Sequence, residues 1–528
     1  MPALITDQFR INNATNFVSS IENDANSYYI FLGLPNPNQD LFGRSLDWQI
    51  NSSSGIVPNP TDNDSYRSHY KDTAVFGKKI TSSNTRRVIR RIDWVAGNKY
   101  DMYRDDYSST NLTAITQKSR LYDSNFYVVN SDYKVYICLY NGSSGANPTG
   151  NASQDEPTFT DLEPSKAGQS GDGYIWKYLF TISPSDIVKF DSTEYITLPN
   201  DWETSTDSQI LSIRENANSV QNNNQLKIIY IEDSGALYST GSYTVDIIGD
   251  GTGGKAFIVV NNSGEIESAV VTEGGQGYTY GLVDLGQLQP QSFTSPSRQA
   301  KLIPIIPPSL GHGYDIYKEL GADRVLVYSR FDDSTLDFPV DTKFCQIGIL
   351  KNPTKFLSTE SYQENQFSNL YSIKFDTSTT ISPIPNIGEK IQQIQQNNVD
   401  KAVGYVASFN STTGVLKYFK DRSLYFGNGL DHTDYIGISS VGKATINFSE
   451  TGQNITSPSG FSQNIDINFS GVTTSIGDQI INLSSEFTNG LSNPEINNNT
   501  GEIIYIDNRP LVARNLRQKE DVKIILEF

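Results

Sequence analysis

At roughly 100 to 200 residues per domain, a chain of 528 residues suggests three to four domains and therefore several cores. Its 41 Lys and Arg against 59 Asp and Glu give a net charge of -18, which disfavours a chain whose main task is to grip nucleic-acid phosphates or an anionic membrane and favours protein partners. Hydrophobic residues make up 37% and charged residues only 19%, so the polar remainder is largely Asn, Ser, Thr and Gln, which suits β structure with polar turns.

The opening MPALITDQFRINN lacks a basic start followed by an apolar stretch, so no secretory signal is expected, and no apolar run approaches the ~20 residues that span a bilayer. A soluble protein made in a cytoplasm is the expectation. Thr6 or Asp7 is placed to cap a helix carrying Phe9, Phe17, Val18 and Ile21. Short alternating runs follow along the whole chain, among them SYYIFLGL, NFYVVNS, YKVYICLY, QLKIIYIE, DRVLVYS, CQIGIL and EIIYID. Separated by Asn, Gly, Ser and Pro, they predict a mainly β protein with few short helices. In TRRVIRRIDW the arginines Arg86, Arg87, Arg90 and Arg91 are locally unlike the acidic whole; they suit an acidic protein surface or internal carboxylates, and contact with a partner is the favoured reading.

In GDGYIWKYLFTI, Gly171 and Gly173 predict a turn, and Tyr174, Trp176, Tyr178 and Phe180 share one face of the strand behind it. With aliphatics opposite, the strand is expected between packed layers, Lys177 marking a wet or interfacial spot. SPSDIVKF reads as a short helix with Ser183 as cap and Pro184 at its first position. Residues about 206–322 form a Gly-rich array in which GGQGYTYG resembles a repeated hairpin unit, and residues about 384–495 form a second Asn- and Ser-rich β module. Within it SETGQNITSPSGFSQN is expected to be exposed or mobile. VKIILEF ends on apolar residues, so Ile524, Leu526 and Phe528 are expected docked in a sheet.

GDGTGGKA has the glycine and lysine spacing of a phosphate loop, but Ala256 stands where Ser or Thr holds magnesium and a strand follows where a helix is needed, so a hairpin turn is expected. His69, His312 and His432 are isolated; His312 in GHGYD has Asp315 nearby and reads as a turn residue. Cys138 and Cys345 sit in apolar strands and read as buried free thiols. No G-x-S-x-G elbow is present, and Asp105–Asp106 and Asp332–Asp333 are acidic pairs of a kind chance supplies. No catalytic, cofactor-binding or metal residues are therefore assigned.

Several stretches line up in order with one family. PTDNDSYRSHYKDTAVFGKKI with RRIDW, SGDGYIWKYLFTISPSD with STEYITLPND, FCQIGILKNP, and TGEIIYIDNRPLVARNLRQKEDVKIILEF together resemble the baseplate wedge subunit of T-even-type contractile-tailed bacteriophages. The resemblance covers roughly residues 1–205, 323–383 and 496–528, and the chain departs from it in its two inserts and at Leu511. It is similar to long, insert-bearing forms such as those of cyanophages. The resemblance implies a multi-domain β-sandwich core, interrupted by the two modules and closed by 496–528, with no enzyme activity and no cofactor. It also implies a homodimer within each wedge, other wedge proteins as neighbours around the tail hub, and a place in the virion tail; tail fibre or peripheral proteins are candidates for the inserts, while nucleic acid and membrane are not expected. Arg509 joins the arginines as a candidate interface residue. Two further classes stay open: a glycan-binding adhesin using exposed Tyr278 and Tyr280, and a tail-associated polysaccharide hydrolase.

Overall fold

The computed structural model describes residues 5–33, 71, 74–217, 225–288, 299–332, 343–378, 380–386, 389–396, 401–420, 447–498, 500–513 and 518–528. The fold is mainly β, built of antiparallel sheets joined by short helices. The chain divides into two compact units: residues 1–18, 86–326 and 524–528, and residues 19–85 and 327–523.

In the first unit, strands Tyr127–Val129, Lys134–Asn141 and Tyr174–Thr181 form a three-stranded sheet in that order. Their apolar runs are buried on both faces, in one cluster with Phe126, Leu198, Trp202, Ile213 and Ile316. Tyr174–Thr181 stands at the edge of this sheet, yet its free edge is covered, because Trp176 and Ser165 exchange backbone hydrogen bonds at 2.9 Å in both directions. Ser183 caps the helix Pro184–Phe190 by accepting from the Asp186 N–H at 3.2 Å, with proline at the first position where no donor is lost. The Gly-rich segment forms a four-stranded sheet in the order Ile266–Gln276, Thr252–Val260, Gly241–Gly249, Gly281–Val283. Beside it Lys301–Pro304 pairs with Ile229–Asp233, and the two sheets share a buried cluster.

The second unit holds a five-stranded sheet in the order Gln366–Ser368, Ala74–Ile80, Tyr28–Gly33, Lys343–Lys351, Glu502–Ala513. Its middle strand, Tyr28–Gly33, is buried at every position. A seven-stranded sheet has Lys390–Ile394, Lys401–Asn410 and Val415–Phe419 at its centre and also includes Tyr371–Lys374. The stretch expected to be exposed or mobile is exposed at most of its positions, and it is anchored to this sheet at a few points. Ile455 and Phe461 are buried, and the buried Gln393 amide donates to the Ser449 and Gln453 carbonyls.

The helix Asp7–Glu22 buries Ile11, Ala14, Val18 and Ile21. Phe9, expected on that face, is exposed; its N–H bonds to the Thr6 hydroxyl at 3.3 Å, so it sits in the first turn, off the buried stripe. No helix among the described residues is long and apolar enough to cross a membrane.

Candidate functional site

The row of rings lies inside the first unit. Tyr174, Trp176, Tyr178 and Phe180 are all buried. Trp176 stacks on Tyr174 with ring centroids 5.3 Å apart and meets Tyr100 edge-on, while Phe180 meets Trp202 edge-on. The Tyr174 hydroxyl donates to Asn151 O at 2.9 Å, and that of Tyr178 shares a bond with Thr181. The turn in front requires its glycines: Gly173 has φ of +86°, and a Cβ there would lie 3.2 Å from Gly142 Cα. Lys177 corrects the sequence reading. It is only 1% exposed, its ammonium donates to Leu162 O at 2.7 Å, and burial pushes its pKa down to about 8.

The arginine cluster is engaged from within. Arg86 forms an ion pair with Asp186 at 2.9 Å and covers Phe190, and Arg91 pairs with both Asp93 and Asp191. Arg90 donates to Ser124 O, and the buried Arg87 lies over the Tyr317 ring at 4.1 Å. Of the two readings, internal pairing is the one this geometry supports. Arg509, in the second unit, is exposed and pairs with Asp507 at 2.6 Å. At the C-terminal strand Lys519–Glu527, Ile524 is buried whereas Leu526 and Phe528 are half-buried; Phe528 packs 5.5 Å from Phe17 and its N–H reaches Asp323 O.

The remaining motifs resolve one by one. Gly249 ends one strand, Thr252 starts the next, and Lys255 pairs with Glu273, so GDGTGGKA is a hairpin connection. Cys138 and Cys345 are buried and not joined in a disulfide, and burial raises the Cys138 pKa. His312 is buried, and its partner is Glu319 at 2.6 Å, while Asp315 caps the helix Ile316–Glu319. His69, His432 and Asp333 lie outside the described residues. Among the described residues no group of three His, Cys, Asp or Glu side chains is placed to hold a metal. Tyr278 is not an exposed platform. It is 2% exposed, its hydroxyl donating to Ile247 O at 2.7 Å and accepting from Gly254 N, because it belongs to the turn before the strand; Tyr280 is 60% exposed.

Asp105 and Asp106 separate into two cavities. Asp106 is held by Arg104 at 2.7 Å beside a cavity of about 480 Å³ whose wall also holds Tyr107, Tyr230 and the Lys301–Glu232 pair. Asp105 lines a groove of about 570 Å³ with Ala217, the backbone of 275–279 and Ile306–Pro307. From sequence the two offer a carboxylate pair for glycoside cleavage or a pair placed by chance, with chance favoured.

Residues 138–263 match the family described as bacteriophage T4, Gp8. The chain is also 27% identical over 220 residues to the baseplate wedge protein gp8 of Enterobacteria phage T4. Over these stretches the chain is similar to the phage baseplate wedge proteins. The likeness to the wedge protein spans 37% of this chain and 60% of the T4 protein's length. The stretch matching the wedge family contains the aromatic strand Tyr174–Thr181 and continues past residue 206 into the Gly-rich hairpins Gly241–Gly249 and Thr252–Val260.

Proposed function

We propose that this chain is a structural, non-enzymatic subunit of a phage tail baseplate wedge, pairing with a second copy and joined to neighbouring wedge proteins around the tail hub. The observation that carries the reading is the likeness to the T4 baseplate wedge protein. The architecture agrees with it. Strands buried on both faces and arginines locked to internal carboxylates make rigid bodies suited to holding contact surfaces in fixed relation. The acidic balance of the chain favours protein neighbours over nucleic acid or anionic lipid. Contacts with fibre or peripheral proteins are assigned to the Gly-rich and Asn-rich modules. The test is co-expression with the other wedge proteins of the same phage, followed by co-purification and electron microscopy of the tail. Discrete co-assembly and density for this chain in the baseplate are expected; complete infectious baseplates formed without it would overturn the reading.

A further inference from the structure

The cavity of about 480 Å³ beside Asp106 lies within the first unit and has the size of a small-molecule site. Three parts of the chain line it: residues 101–114, the end of strand Lys134–Asn141 with the loop after it, and the paired strands Ile229–Asp233 and Lys301–Pro304. The charges on this wall are already matched. Arg104 grips Asp106 through two bonds of 2.7 and 2.5 Å, and Lys301 pairs with Glu232 at 2.6 Å. The buried Asp101 carboxylate accepts from the Ile115 N–H at 3.0 Å and the Thr116 hydroxyl at 2.6 Å. A wall without an unpaired charge gives an ionic ligand no counter-ion and favours a neutral one.

Tyr230 points to the kind of neutral ligand. Buried tyrosines normally spend their hydroxyl on a partner, as Tyr127, Tyr136, Tyr174 and Tyr278 do on backbone carbonyls. Tyr230 is only 6% exposed, yet among the described residues its hydroxyl has no hydrogen-bond partner, and it is not an enclosed atom, so it opens into the cavity that it lines. Burial raises its pKa, so it stays a hydroxyl able both to donate and to accept. The Arg104 guanidinium lies 4.7 Å over the Tyr230 ring and 5.8 Å from that of Tyr107, which holds its plane, and among the described residues its Nη1 makes no hydrogen bond. Donors on Arg104 thus stand beside acceptor oxygens of Asp106 that keep unspent lone pairs. Leu112 and Ile303 add apolar wall. Hydroxyls that both donate and accept, set around a ring with an apolar C–H face, are what this combination matches.

We propose that the cavity binds one neutral pyranose unit of a glycan, its hydroxyls held by Tyr230 and the Arg104–Asp106 pair and its C–H face against Leu112 and Ile303. The binding is non-catalytic and goes beyond the wedge reading without resting on it.

Saturation-transfer NMR on the full chain provides the test, with the methyl glycosides of glucose, galactose, mannose and N-acetylglucosamine as probes and methyl glucuronide as the charged control. At least one neutral glycoside is expected to receive transfer, with an affinity that salt leaves unchanged. Tyr230→Phe keeps the ring under Arg104 and removes only a hydroxyl without a protein partner, so it is expected to fold normally and to bind that glycoside roughly three- to tenfold more weakly. Asp106→Asn, at an exposed position, takes the counter-charge from Arg104 and is expected to raise affinity for the glucuronide by about tenfold. No transfer to any neutral glycoside, equal affinity in wild type and Tyr230→Phe, or a glucuronide bound no better by Asp106→Asn would overturn the proposal.

Discussion

Truncating Trp176 tests whether the aromatic row is core or platform. The side chain is fully buried, stacked on Tyr174 and edge-on to Tyr100, so Trp176→Ala opens a cavity that rings on two sides cannot easily fill. Large aromatic-to-alanine changes cost roughly 3–5 kcal/mol. In a body of a few hundred residues each kcal/mol shifts the midpoint by roughly 2–4 °C, so a fall of about 6–20 °C is expected by calorimetry. Trp176→Phe separates packing from hydrogen bonding. The buried indole N–H has no acceptor, so phenylalanine sheds an unpaired donor worth about 1 kcal/mol while losing roughly 1–2 kcal/mol of contact. A variant within about 1 kcal/mol of wild type is therefore expected. An unchanged midpoint in Trp176→Ala, together with lost retention on host glycans, would refute the packing argument and install the platform.

Lys177→Met is expected to change the pH profile of stability. The folded pKa is lowered to about 8 from the ordinary 10.5, so between those values the unfolded chain holds more protons and stability rises with pH. Wild type is expected to gain on the order of 1.4 kcal/mol per pH unit relative to the methionine variant above pH about 8, and nothing below it; parallel profiles in chemical denaturation would contradict the burial. For Arg86 and Asp186, a double-mutant cycle to alanine in the isolated chain is expected to show a coupling of about 1–3 kcal/mol, since breaking a largely buried pair strands one charge. A coupling near zero in the isolated chain, appearing only with partner proteins, would restore Arg86 to an interface.

The alternation of GYIWKYLFTI was enough to read a strand apolar on both faces, and Ser183–Pro184 was enough to place a helix start, because both signals are local. What covers the strand was not local. Its free edge is closed by Ser165 and Lys177 is satisfied by Leu162 O, both on the loop before it, and no side-chain pattern records which carbonyl a lysine will reach. The internal partners of the arginines were not legible for the same reason: Asp186 and Asp191 lie 100 residues beyond Arg86 and Arg91, and their pairing depends on the helix Pro184–Phe190 and the Val88–Arg90 to Tyr195–Thr197 ladder bringing them together. The N-terminal helix shows the limit of size as a guide, since Ala14 is buried while Phe9 is not.

Tyr278 and Tyr280 sit two positions apart, which in a regular strand would place them on one face. Tyr278 instead belongs to the turn ahead of Gly281–Val283, where the strand period does not yet apply, and its hydroxyl ties the hairpins together through Ile247 and Gly254. The acidic pair obeys the complementary rule. Adjacent side chains on a non-helical segment diverge, so Asp105 and Asp106 enter different cavities, Asp106 held by the Arg104 guanidinium and Asp105 by the Ile306 N–H. Two carboxylates next to each other in sequence are thus poorly placed for joint acid–base work across one bond, which speaks against a hydrolase at this pair.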